Sequence, residues 1–339
     1  MADIFDTRTM LRAMEQSFEP STFLLSTLFD RVEVSPSEYV DIDIVKRGRK
    51  LAPFVSPVVE GKTVRDEGYT TRTYRPPYLK PKKPTTAQQL LDRLPGEDPY
   101  SGRSASSRAA EKLLLDLMEL DDTITRREEW MAAQALQTGT VKCTGEGIDE
   151  LIDFGLDPSH KVTLSGSDRW IDAASTPLAD IGEWVGMIRK ASGLNADILI
   201  GGIDAINALV AKLDGEFDTR RIDLGLISPS ELSNGAAYYG DIKANGAVIA
   251  VYLYEDYYTD EETGATVPVF DANRVVLTST RADFRQNYGA IQDIRGLAAA
   301  RRFPKSWVVE DPSARFVMVQ SAPLPALHQA DALVTAQVV

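Results

Sequence analysis

Cysteine occurs once in this chain of 339 residues and histidine twice. A lone Cys143 excludes an intramolecular disulfide framework and any cysteine-built zinc site. His160 and His328 leave little for acid-base or metal chemistry; each lies in a loop without an obvious partner and reads as a surface residue. Basic charge is also scarce. Lys plus Arg number 37 against 50 Asp plus Glu, and the net charge of -13 argues against a duplex-DNA binder held by a broad basic surface, leaving room only for local basic patches. No apolar run is long enough to span a membrane. The opening from Met1 to Met10 carries Asp3 and Asp6 and lacks the apolar core of a secretory signal. A chain folding in a reducing, cytoplasm-like compartment is expected. Catalytic signatures are missing too: no serine in a nucleophile-elbow pattern, no His-Glu-x-x-His, no cysteine pair. No cofactor or metal is called for. Cys143 falls in an expected strand, where an inert buried thiol is the default.

What is present begins with one long stretch. Ala109 to Thr138 holds no internal Gly or Pro and repeats apolar residues at Ala110, Leu113, Leu114, Leu117, Leu120, Ile124, Met131 and Ala135. That spacing draws a stripe along one face of a helix about 45 Å long. Ser106 and Ser107 are candidate N-caps, and Gly139 supplies the left-handed stop. Taken alone, the helix fits an ordinary enzyme domain.

Before it, the chain opens with a short apolar segment, Phe23, Leu24, Leu25, Leu28 and Phe29, and an alternating strand from Tyr39 to Val45. Composition then shifts. Residues 46–83 hold eleven basic residues against three acidic ones, a local charge of +8 that leaves -21 for the rest. Within that run Val55 to Val64 and Tyr69 to Tyr74 are expected to pair as two strands about the turn Arg65-Asp66-Glu67-Gly68. Prolines at 53, 57, 76, 77, 81 and 84 confine the pair to an edge. Such a ribbon, without an apolar face, must lie on something acidic. Leu90, Leu91 and Leu94 form a small cluster in the linker that follows.

Beyond the helix, Thr140 to Cys143 and His160 to Leu164 read as strands separated by an acidic patch. Asp153, Asp157 and Asp168 lack calcium-loop spacing and read as solvated acids. Pro177 to Arg189 is an expected helix. Asp197 to Ile200, Gly201-Gly202 and a helix capped by Asp204 resemble a phosphate loop in outline but lack its glycine spacing and Gly-Lys-Ser/Thr ending. Strands are expected at Gly235–Gly240, Ala247–Tyr254 and Arg274–Thr278, with an acidic hairpin from Glu255 to Gly264 kept in water by Asp256, Asp260, Glu261 and Glu262. The tail reads as strands at Ser306–Glu310, Arg315–Ser321 and Leu333–Val339, separated by Asp311-Pro312 and Pro323-Leu324-Pro325.

Several short runs carry a resemblance. Val55-Ser56-Pro57, Tyr78-Leu79-Lys80-Pro81-Lys82, Arg93-Leu94-Pro95 with Glu97-Asp98-Pro99, Asp218-Thr219-Arg220-Arg221 and Phe303-Pro304-Lys305-Ser306-Trp307 occur in order. The tail adds Asp311-Pro312, Ala314-Arg315 and Gln320-Ser321-Ala322-Pro323-Leu324. From about residue 50 to its end the chain resembles the major capsid proteins of the phage lambda type, which have the HK-97-like coat fold.

The resemblance implies an α+β fold in five stretches: an N-terminal arm (1–45), an extended loop and its return (46–90), a peripheral domain (91–180) with the long helix as its spine, an axial domain (181–304), and C-terminal strands returning to the peripheral domain (305–339). It implies a coat subunit of a tailed double-stranded DNA phage, assembling as hexamers and pentamers into an icosahedral head that expands on packaging, in the bacterial cytoplasm. Expected partners are other copies, a separate scaffolding protein, a portal protein and a trimeric decoration protein at threefold positions, around DNA held without sequence-specific contacts. On this view Lys62, Arg65, Arg72, Arg75, Lys80, Lys82 and Lys83 reach a neighbour. Glu111, Asp116, Glu119, Asp121 and Asp122 on the spine offer it an acidic ground, and the hairpin acids sit at the exposed part of the axial domain. An encapsulin-like compartment subunit and a soluble α/β enzyme remain the alternatives.

Overall fold

Gly139, at φ +70°, ends a helix of 34 residues, Ala105–Thr138 (α3). A Cβ there would lie 2.5 Å from the Leu156 side chain, so both conformation and space call for glycine. The helix starts four residues before the expected Ala109, and its cap is Ser104, whose hydroxyl accepts from the Ser107 N–H at 3.2 Å. Ser106 and Ser107 lie inside the first turn. The computed structural model describes residues 22–45, 69–91, 104–145, 147–213, 230–231, 235–260, 263–294, 300–311 and 313–339, with positions 10, 51, 52, 54–57 and 60 besides.

Ahead of this helix come α1 (Phe23–Leu28), β1 (Arg31–Val34), β2 (Val40–Val45), β3 (Tyr69–Tyr74), β4 (Lys82–Thr86) and α2 (Ala87–Leu91). The expected hairpin pairs differently: Tyr69–Tyr74 is antiparallel to Val40–Val45, not to 55–64. Residues 54–57 carry no strand, and 61–68 lie outside the described residues. Nor does the ribbon lack an apolar side. Val40 and Ile42 are buried, and Tyr74 packs on Phe154 with ring centroids 5.7 Å apart. Alternation of Val40 and Ile42 with Asp41 turns the aliphatic side inward, which fixes the register.

After the long helix follow β5 (Thr140–Gly145), β6 (Ile148–Asp153), β7 (Lys161–Thr163), α4 (Pro177–Ala191), β8 (Ile198–Gly201), α5 (Ile203–Lys212), β9 (Ser230–Glu231), β10 (Ala236–Ala244) and β11 (Ala247–Tyr254). Then come β12 (Tyr257–Thr259), β13 (Thr266–Pro268), β14 (Arg274–Thr278), β15 (Phe284–Tyr288), β16 (Phe303–Val309), β17 (Ala314–Gln320), β18 (Pro323–Leu327) and β19 (Val334–Gln337). The supposed acidic patch is strand β6, antiparallel to β5. The Pro-Leu-Pro separator is strand β18, which pairs with β15.

Seven strands in the order β7-β19-β14-β8-β11-β10-β9 form the main sheet, with parallel and antiparallel pairs mixed. Its central strands β8 and β14 bury both faces, so neighbouring residues belong to different cores. Leu199, Val275 and Leu277 pack with Ile181, Trp184 and Ile188 of α4 and Ile206 and Leu209 of α5. Ile198, Ile200 and Val276 face the other core, with Met131, Ala135 and Leu136 of the long helix. Asn245 (φ 46°) and Gly246 (φ 72°) turn β10 into β11, an Asn-Gly hairpin.

The last strand pairs with β7, inside the stretch 91–180, and with β14 on its other side. Two sequence expectations fail here. Gly202 caps α5, and Asp204 lies within its first turn. A Cβ on Gly202 would stand 2.2 Å from the Asp271 carbonyl oxygen, so a close backbone crossing accounts for the glycine pair. His160 is buried, its Nδ1 2.7 Å from the Leu333 carbonyl, because the 3-10 turn Pro158–His160 leads straight into β7 beside β19.

Candidate functional site

The long helix carries two cores in succession. Leu113, Leu117, Leu120 and Ile124 pack on Val317 and Val319 of β17 and on Met10, and from Met131 onward the helix enters the core it shares with α1 and the main sheet. Between these stretches it buries charge. Glu128 and Glu129 are both almost fully buried, which is tolerated only where each is bonded or paired.

Arg302 is the partner of the first. Its guanidinium donates to Glu128 at 2.6 and 3.0 Å, to Asp121 at 2.6 Å and to Thr125 at 3.1 Å. Burial alone would lower the Arg302 pKa; Glu128, Tyr288 and Asp121 together outweigh it and hold the net shift upward. Glu129 turns to the arm. Its oxygens accept from the backbone N–H groups of Leu24 (2.7 Å) and Leu25 (3.1 Å) and from the Tyr254 hydroxyl (3.0 Å). Burial raises its pKa above the ordinary 4.5, against those hydrogen bonds. Phe23 packs on the rings of Tyr252 and Tyr254, with centroids 5.3 and 5.6 Å apart. The arm helix therefore ties the long helix to the main sheet.

The acidic ground is smaller than expected. Glu111 and Glu119 are exposed and Asp122 is half-buried. Asp116 is 1% exposed and accepts from Lys112 at 2.7 Å and Thr85 at 3.2 Å; Asp121 is taken by Arg302. Both look inward because β4 and residues 301–302 cover that side of the helix, so neither offers charge to a neighbour.

Among the basic residues, Lys62 and Arg65 lie outside the described residues. Several of the rest find partners in their own chain. Lys83 bonds Glu119, which lowers the carboxyl pKa. Arg72 donates to the Asp153 carbonyl at 3.2 Å, and Arg75 lies 3.6 Å from Glu38. Lys82 sits over the Phe316 ring at 5.7 Å and Lys80 over Tyr78 at 5.1 Å. Tyr258 packs edge-on against Trp130 at 6.4 Å, so β12–β13 stands at the end of the main sheet next to the long helix. Asp256 accepts from the Tyr257 N–H at 2.8 Å and Asp260 from Thr263 at 2.9 Å. Glu261 and Glu262 lie outside the described residues.

Sequence reasoning missed Glu128, Glu129 and Arg302. Two adjacent acids inside an amphipathic helix were the available signal, since continuing the apolar stripe past Ile124 turns them inward. Cys143, half-buried on β5, has its thiol pushed up to about 11 by burial and then by Glu150, which makes it a poor nucleophile.

A long helix under a strand pair, a mixed sheet closed by the C-terminal strand, and an arm clamped between them define a coat fold of the HK-97-like class. The structure is similar to that of a putative capsid protein of a prophage from E. coli CFT073, with a TM-score of 0.73 at 22% identity, covering 98% of this chain and 99% of that one. The capsid of cyanophage A-1(L) shares the fold at a TM-score of 0.52 and 12% identity, covering 96% of this chain and 94% of that one. In sequence, the phage major capsid protein E family matches residues 6–338. The major capsid protein of Enterobacteria phage P21 is 31% identical over 350 residues, covering 99% of each chain. That of Escherichia phage lambda is 29% identical, covering 98% of this chain and 99% of the other. The chain belongs to the phage major capsid protein E family.

Proposed function

We propose that this chain is the coat subunit of a tailed-phage head, joining copies of itself as hexamers and pentamers into an icosahedral shell that encloses double-stranded DNA and expands on packaging. One observation carries the reading: the family match runs from residue 6 to 338 and so takes in every element of the coat fold, from arm to closing strand. Relatives named as phage capsid proteins favour it over an encapsulin-like compartment or an α/β enzyme.

In this reading, assembly takes place in the host cytoplasm with a separate scaffolding protein, a portal and a trimeric decoration protein. The net charge of -13 lets packaged DNA slide along the wall instead of adhering to it. The basic loop straps a neighbour: Lys80 and Lys82 are its exposed heads, while Lys83 anchors the strap on its own spine through Glu119. Each exposed pair adds little, but a repeated interface sums such terms. Negative-stain microscopy of the purified chain tests the reading. Capsomers or shells support it; a protein that stays monomeric at all concentrations, or shells that co-purify with protein cargo in place of DNA, contradicts it.

A further inference from the structure

Strands β4, β17 and β16 form a three-stranded sheet in which Phe316 stands between Trp307 and Pro84. Alternation divides its residues between two faces. Val317 and Val319 point to the long helix and are 1% and 0% exposed; Lys83, opposite Val317, follows them inward to Glu119. The outer face carries Trp307, Phe316, Met318 and Lys82, all left partly open. Its rings are stacked, with Trp307 and Phe316 centroids 5.6 Å apart at 12°, and Lys82 lies over Phe316. An aromatic, aliphatic surface rimmed by lysine is built for a partner that brings aromatic rings and carboxylates.

One segment of the same chain has that chemistry. On the β12–β13 hairpin Tyr258 turns inward to Trp130, while Tyr257 is 50% exposed beside exposed Glu255 and Asp256. The two surfaces lie on different sides of the long helix. The sheet's outer face points away from the long helix, whereas the hairpin leans on Trp130, which at 100° per residue lies about 120° round the helix from Ile124. Resting on the coat-subunit reading, we propose that the outer face of the β4–β17–β16 sheet is the docking surface for the β12–β13 hairpin of a second copy. Tyr257 of one copy would lie on Trp307 and Phe316 of the next, with Glu255 and Asp256 facing Lys82 and Lys80. Such a contact joins two different patches, a head-to-tail interface of the kind that closes rings, as a capsomer requires.

The experiment uses full-length chain assembled from mixed light and heavy-isotope copies bearing Tyr257→p-benzoylphenylalanine. After irradiation, crosslinks joining light to heavy chains at peptides spanning 303–320 are expected. Crosslinks from assembled particles that map elsewhere overturn the contact. A charge exchange provides the second arm: Lys82→Glu lowers particle yield about tenfold, since like charges now oppose each other across the contact, and adding Glu255→Lys in the same chain restores it. Failure of that restoration overturns the contact even if the photoreactive variant does not assemble. Unsubstituted chain that forms no particles at all fails the coat-subunit reading itself, a result distinct from particles lacking this contact.

Discussion

The backbone N–H of Leu24 donates to Glu129 Oε1 at 2.7 Å, so a carboxylate buried on the long helix holds the arm helix. Glu129→Gln keeps the shape but offers one acceptor where three donors converge, and a loss of about 1–3 kcal/mol in unfolding free energy is expected. Because burial raises the Glu129 pKa above 4.5, the folded state binds this proton more tightly than the unfolded chain does. Its contribution is full below the ordinary carboxylate value and is lost as pH rises through the raised one. Thermal unfolding against pH should therefore show the margin of the wild type over Glu129→Gln narrowing as pH rises through that window. Parallel curves would reject the assignment.

Arg302→Met takes from buried Glu128 its two-pronged partner and leaves only Arg301, 3.8 Å away. Removing one member of such a buried pair costs about 3–5 kcal/mol, and chemical denaturation is the measurement. The double replacement Arg302→Met with Glu128→Leu should recover most of that loss, because two desolvated charges leave together.

On the long helix, Leu117→Asp with Leu120→Asp should abolish soluble protein, each placing a carboxylate against Val317 and Val319. Glu111→Gln with Asp122→Asn should change stability by no more than about 0.5 kcal/mol, as surface replacements do. Asp116→Asn falls between them, since Lys112 and Thr85 both bond it. Soluble yield identifies the first, and differential scanning calorimetry separates the other two.

Gly202→Ala places a methyl 2.2 Å from the Asp271 carbonyl oxygen, a backbone atom that cannot step aside. Inclusion bodies, or a fall in midpoint of several degrees, are expected. Soluble protein with an unchanged melting curve would mean that the crossing at 271–272 is looser than described.

How much of this was legible beforehand follows the physics of each element. The long helix, α4 and strands β11 and β14 carry uninterrupted apolar patterns of one period, and these were placed to within a few residues. Strand β6 (Ile-Asp-Glu-Leu-Ile-Asp) hides its strand character behind acids, being a hairpin with one exposed side. Strand β18 is Pro-Leu-Pro-Ala-Leu, where proline usually signals a break; pairing with β15 overrides it. The partner of Tyr69–Tyr74 lay across the basic segment, and no local pattern specifies so distant a pairing. At the candidate site, exposed lysines were identifiable from composition. Which acids were already engaged was not, because Arg302 lies 174 positions from Glu128.

The central claim is that this chain of 37.3 kDa forms closed shells from copies of itself. Charge-detection mass spectrometry of the purified protein measures this most directly. The account predicts capsomer masses at five and six copies and a megadalton population of discrete shells. A single species at the monomer mass, unchanged by concentration or by added scaffolding protein, would contradict it.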